Sequence, residues 1–230
     1  MNPEPNPATD VEDDDFGITA VPPKPLLRGW IHAGTLPVAI ALGVVLTVLA
    51  EGTALTLACA VFLATSSLLF GISALYHRVH WRPRAAALMR RLDHSNIFLL
   101  IAGTYTPMTV AALDAPASTI LLVIVWTGAL LGIAFRLFWL SAPRWLYVAL
   151  YILLGWTAVW FAGDLLAVDP VAVGLVLAGG LAYTGGAVVY GLKRPDPSPG
   201  VFGFHEVFHT CTVIAFACHW AAMLLFVLQG

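Results

Sequence analysis

Residues 202–228 read FGFHEVFHTCTVIAFACHWAAMLLFVL. The run holds no Lys or Arg, and it exceeds the roughly 20 helical residues that cross a bilayer. Its first third nevertheless carries His205, Glu206 and His209. Ionisable groups inside a span are costly and mark function by default. His205 and His209 are four apart, so they share one helix face about one turn apart. Two imidazoles so placed grip one metal ion. In a soluble helix such a pair is more often satisfied packing; inside a membrane, beside a further polar cluster, ligation is the better account.

Composition agrees with a membrane protein. The 230 residues are 60% hydrophobic and 10% charged, with a mean hydropathy of +0.86, far above a soluble domain of this size. The net charge of −2 says little, because the charges are segregated. Nucleic acid is not an expected partner, since no basic stripe with interleaved aromatics exists outside one short loop. Cys59, Cys211 and Cys218 fall in apolar runs and read as small buried residues. Cys211 and Cys218 are seven apart, roughly 10 Å of helical rise, too far to bridge.

Residues 1–25 are polar and Pro-rich with an acidic run at Glu12–Asp15, and read as a disordered cytoplasmic tail. The acidic charge and the length of the first apolar run argue against a secretory signal. Residues 26–230 read as one transmembrane domain of seven apolar runs: Trp30–Ala50, Thr53–Tyr76, Leu92–Leu113, Ala117–Phe135, Trp145–Ala162, Val171–Gly191 and Phe202–Leu228. Gly179, Gly180, Gly185 and Gly186 are expected to let helices approach closely. Pro107 is expected to kink the third helix.

All 11 positive residues fall on one side of seven spans. Lys24 and Arg28 precede the first. Arg78, Arg82, Arg84, Arg90 and Arg91 lie between the second and third. Arg136 and Arg144 lie between the fourth and fifth, and Lys193 and Arg194 between the sixth and seventh. The opposite loops carry Glu51, Asp114, Asp164 and Asp169. The expectation is an all-α integral membrane protein of seven transmembrane helices, N-terminus cytoplasmic and C-terminus outside.

That topology brings Ser73 and His77 at the end of the second span, Asp93 and His94 at the start of the third, and His205 and His209 to one depth. Three imidazoles with one open position are the ligand set of a catalytic zinc site. Imidazole also suits copper, iron or nickel, so zinc is a preference. Asp93 is a candidate base or water-positioning group; the weaker alternatives are a carboxylate at a helix N-terminus or a partner for Arg90 or Arg91. Ser73 could support water or a carbonyl, although serine in a span often only bonds back to its own helix.

Ser73-x3-His77, then Leu92-Asp93-His94 running to Ala102-Gly103-Thr104-Tyr105-Thr106-Pro107, then His205-Glu206-x2-His209, resembles the hemolysin III family. That family belongs with the progestin and adipoQ receptors, including the adiponectin receptors, and is related to alkaline ceramidases. The resemblance covers roughly residues 25–230. It implies seven helices, zinc on His77, His205 and His209, and Asp93 and Ser73 contacting water at the metal. For the receptor and ceramidase branches it implies hydrolysis of a lipid amide. The branch name reflects lysis of cells, which gives a pore-forming alternative.

His205-Glu206-Val207-Phe208-His209 also matches the H-E-x-x-H helix of zinc proteases, where Glu is the base. Against that reading, the best third ligand is the distant His77, and Glu206 is expected to face Lys193, Arg194 or cytoplasmic water. His219 lies ten residues past His209, roughly 15 Å deeper, too far for the same metal. Thr212, His219 and Thr104 are expected to line a cavity. His32, His80 and His94 are expected at a wet interface, and Trp30, Trp81, Trp139 and Trp145 in an interfacial belt. The resulting expectation is a plasma-membrane protein with a cytoplasm-side zinc and membrane lipids as substrate or ligand: a lipid amide or ester hydrolase, or else a receptor or pore former with structural zinc.

Overall fold

Apolar runs longer than a bilayer is thick, joined by short links, fold as antiparallel helices, because every backbone polar group must find its partner within the segment. The computed structural model describes residues 25–229, so the expectation of a disordered tail over 1–25 falls, apart from Pro25, outside the described residues. The helices are α1 (Trp30–Leu49), α2 (Thr53–Arg78), α3 (Pro83–Ala112), α4 (Ala115–Phe138), α5 (Arg144–Gly155), α6 (Ala162–Val168), α7 (Pro170–Leu192) and α8 (Phe204–Val227). A 3-10 turn, Thr157–Phe161, joins α5 to α6. Among the described residues no strand is present beyond an isolated bridge between Ser198 and Phe202.

Six stretches are long and apolar enough to cross a membrane: α1, α2, α4, Arg144–Val168, α7 and α8. The protein is a multi-pass membrane protein. The third apolar run differs from expectation. Its helix α3 starts at Pro83, which suits a first helical position. It carries Arg84, Arg90, Arg91, Asp93, His94 and Asn96 before its apolar part, and it is not among the six. The helix runs on through Pro107.

The fifth run is a broken helix rather than a continuous one. Helix α5 stops at Gly155. The Tyr105 hydroxyl of α3 donates to the Gly155 carbonyl at 2.7 Å and accepts from the Ala158 N–H at 2.8 Å. One side chain thus satisfies two backbone groups that the break releases, which is how irregular backbone survives at membrane depth.

Helix α8 packs against α1, α3 and α7, and α2 lies between α1 and α3. Of Gly179, Gly180, Gly185 and Gly186 in α7, two make the close approach. A Cβ at Gly179 would lie 2.4 Å from the His219 ring, and one at Gly186 would lie 2.7 Å from Cys211 Cβ. Gly185 has nothing within 4 Å, and at Gly180 the nearest atom is an ordinary 3.8 Å away. The start of α1, the end of α2 and the starts of α3 and α8 meet at one end of the bundle.

Candidate metal centre

His77 occupies the last turn of α2, and His205 and His209 the first turns of α8. All three are buried, and one ligating atom from each lies within 4.8 Å of the other two, close enough to hold a metal ion. Nε2 of His205 and Nε2 of His77 are 3.2 Å apart. Two nitrogens on a tetrahedral zinc, each about 2.0–2.1 Å from the ion, are roughly 3.3 Å apart. The separation also suits an N–H···N hydrogen bond. His209 brings a third buried imidazole to the same point, and the three together are close enough to hold one metal ion. Three buried imidazoles converging on one point fit a metal.

Asp93 Oδ2 stands 3.9 Å from His77 Nε2. Ser73 is 2% exposed. Ser73, Asp93, His205 and His209 border a cavity between the helices. Its deeper wall includes Thr104, Thr212 and His219, as their helical register led one to expect. His219 is a lining residue only: its Nε2–H donates to the Val176 carbonyl at 3.1 Å.

Three sequence expectations are corrected. Glu206 does not face Lys193, Arg194 or water. It is fully buried, its Oε1 is 2.6 Å from Arg28 Nε, and its Oε2 accepts the Gly203 N–H at 2.8 Å. Burial leaves a carboxylate needing a cation and donors, and the segment before α1 supplies the cation. His32 is not at a wet interface: it is 3% exposed, with its ring stacked on His209 at 3.7 Å between centroids and 9° between planes. His94 is buried as well. His80 is exposed, as expected.

His94 belongs to a polar cluster that the sequence reading missed. Arg136 is fully buried, and its Nη2 lies 2.8 Å from His94 Nδ1. A guanidinium only donates, so Nδ1 accepts and the His94 proton sits on Nε2, 3.4 Å from the Tyr190 hydroxyl. The Tyr151 hydroxyl donates to the His94 carbonyl at 3.0 Å. The guanidinium also covers the Tyr147 ring, 4.3 Å from its centroid. Signals existed for both misses: His32 and Arg136 lie within one turn of their helix ends, at the depth of the three histidines.

Residues 21–220 match the family model described as Haemolysin-III related. The chain is 37% identical over 130 residues to Hemolysin-3 of Bacillus cereus, covering 54% of this chain and 56% of that protein. It is 33% identical over 135 residues to the Hemolysin-3 homolog of Bacillus subtilis (strain 168), covering 58% of this chain and 63% of that protein. The alignments therefore span less than two thirds of these relatives. With the family match running through every helix and over the three histidines, the chain belongs to the haemolysin-III related family.

Proposed function

We propose that this protein is a seven-span plasma-membrane hydrolase, N-terminus cytoplasmic, that cleaves an amide or ester bond in a membrane lipid with zinc on His77, His205 and His209. The observation that carries the reading is the convergence of three buried imidazoles beside a carboxylate, with Asp93, His205 and His209 lining a cavity between helices. When bound, zinc supplies Lewis acidity, which polarises a carbonyl and acidifies water. Asp93 orients the attacking water and takes its proton as the water oxygen adds to the lipid carbonyl carbon. As the carbon–nitrogen or carbon–oxygen bond breaks, Asp93 returns that proton to the departing amine or alcohol. Ser73 offers a hydroxyl to the carbonyl oxygen or the water. The apolar helix faces around the cavity exclude bulk water and receive the lipid's hydrocarbon part.

The protease reading is disfavoured, because Glu206 is engaged by Arg28 and the Gly203 N–H. The name of the Bacillus cereus relative favours one second reading, a cytolytic or pore-forming protein in which the metal is structural.

The test is turnover. The zinc-loaded protein, presented with ceramides and related amide and ester lipids in detergent, is expected to release fatty acid. Asp93→Asn keeps shape and metal and removes the base, and the rate should fall by about 10²- to 10⁴-fold. Absence of fatty acid release by the unmutated, metal-loaded protein across the lipid panel sinks the hydrolase reading and leaves the cytolytic one.

A further inference from the structure

We propose that His32 is a positioning residue that fixes the His209 ring for metal binding through its flat face. The inference rests on the metal reading above. A metal-binding imidazole is normally oriented by a hydrogen bond from its other nitrogen to a carboxylate, a carbonyl or water. Nδ1 of His209 has no such partner among the described residues. The His32 ring instead lies parallel to it, 3.7 Å away between centroids with planes 9° apart. A stacked ring restrains rotation while leaving the in-plane lone pairs free for an ion. Neither nitrogen of His32 has a partner among the described residues, so its tie to the site is also through its face.

His32 is itself braced. Phe70 of α2 meets its ring edge-on at 5.1 Å and 83°. Phe70 in turn meets Phe216 of α8 at 5.2 Å and 85°. The start of α1 sets the register. Gly29 adopts φ +80°, where an L side chain is strained, and a Cβ there would sit 2.8 Å from His77 Cβ. Arg28 pairs with Glu206. Residues 28, 29 and 32 thus touch Glu206, His77 and His209 in turn. A slip of one residue would swing His32 about 100° round its helix and off the His209 face.

The experiment uses the full chain, purified in detergent, in unmutated, His32→Ala, His32→Leu and His32→Phe forms. Zinc affinity is measured by competition with a chromophoric chelator, and ligand geometry by the visible absorption of the cobalt-substituted protein. His32→Ala and His32→Leu lack a flat ring and should weaken zinc binding by about 10- to 100-fold, the usual loss when a group orienting a metal ligand is removed, and change the cobalt bands. His32→Phe should restore most of the affinity and the unmutated spectrum. His32→Leu fills the space, so it carries the prediction should His32→Ala fail to fold. Unchanged affinity and cobalt bands in His32→Leu overturn the proposal even if thermal stability drops, and so does a His32→Phe as weak as His32→Leu. If the unmutated protein binds neither metal, the metal reading falls and this inference with it; tight unmutated binding beside an indifferent His32→Leu removes this inference alone.

Discussion

Nε of Arg28 lies 2.6 Å from Oε1 of Glu206, joining the segment before α1 to the first turn of α8. Glu206 is fully buried, whereas the Arg28 side chain keeps 13% exposure. Removing the cation strands a buried charge, which typically costs about 3–5 kcal/mol. Arg28→Met should therefore lower the melting temperature strongly. Glu206→Gln should cost less, because the amide oxygen still accepts the Gly203 N–H and Arg28 can reach water. Combining Arg28→Met with Glu206→Gln should recover part of the loss; a double variant as unstable as the sum of its parts means that the pair is not coupled.

The histidine cluster predicts a pattern in metal content. His77→Ala, His205→Ala and His209→Ala each leave two imidazoles, so each should lose most of its bound zinc. His219→Ala should retain it, because the His219 Nε2–H is committed to the Val176 carbonyl. Elemental analysis of the four purified variants checks this, and full occupancy in all three ligand variants removes the assignment.

Much of this is legible in the sequence. Spacing of four between His205 and His209 gives one face on any helix, and alternation of spans gives His77 the same depth. What periodicity cannot give is which charge enters the bundle. Glu206, one residue from His205, points about 100° away round the helix, and that direction looks outward only until the segment before α1 is known to cross it. Arg28, Gly29 and His32 are local in sequence but make their contacts on α2 and α8, so nothing in their own neighbourhood announces them. The break at Gly155 was hidden for a related reason: the run stays apolar through it, and the group that makes it tolerable, Tyr105, lies 50 residues upstream.

Close packing of α7 on α8 separates the glycines. Gly179→Ala drives a methyl to within 2.4 Å of the His219 ring, and Gly186→Ala to within 2.7 Å of Cys211 Cβ. Overpacking of this kind costs about 1–3 kcal/mol. Gly185→Ala meets nothing within 4 Å, and should be neutral or stabilise by up to about 1 kcal/mol through helix propensity. Thermal melts in detergent rank the three; a Gly185→Ala as harmful as Gly179→Ala contradicts the packing.

Asp169 caps α7, accepting the Val171 N–H at 2.7 Å and the Ala172 N–H at 2.9 Å. The Ala172 N–H above all, with the Gln229 side chain and the Val171 N–H, holds its carboxyl below the usual 3.8. A depressed folded-state value means that the cap's charged form stabilises above the unfolded value and that this contribution fades as pH falls through the folded one. Asp169→Asn keeps an acceptor but does not titrate. The gap in melting temperature between the two proteins should be constant from about pH 7 to 5 and close below about pH 4. A gap as wide at pH 3 as at pH 7 refutes the charged cap.

The last prediction concerns α3, whose crossing decides whether the chain's ends lie on one side of the membrane or on two. By hydropathy alone α3 is not a span. Polar residues are tolerated at membrane depth when they face protein and are satisfied there. Asn96 of α3 is buried. Asn96 Nδ2 donates to the Leu68 carbonyl at 3.2 Å, the Thr106 hydroxyl to the Ala102 carbonyl at 2.7 Å, and the Trp126 indole to Thr106 at 3.1 Å. With α2 and α4 packed on either side and α8 behind, α3 needs little hydropathy of its own, and we expect it to cross. Seven crossings place the two ends on opposite sides, and the one-sided Arg and Lys place the first inside. A reporter fused before Met1 should be active in the cytoplasm and one fused after Gly230 outside. Both reporters on the same side would mean an even number of crossings and would remove α3 from the membrane.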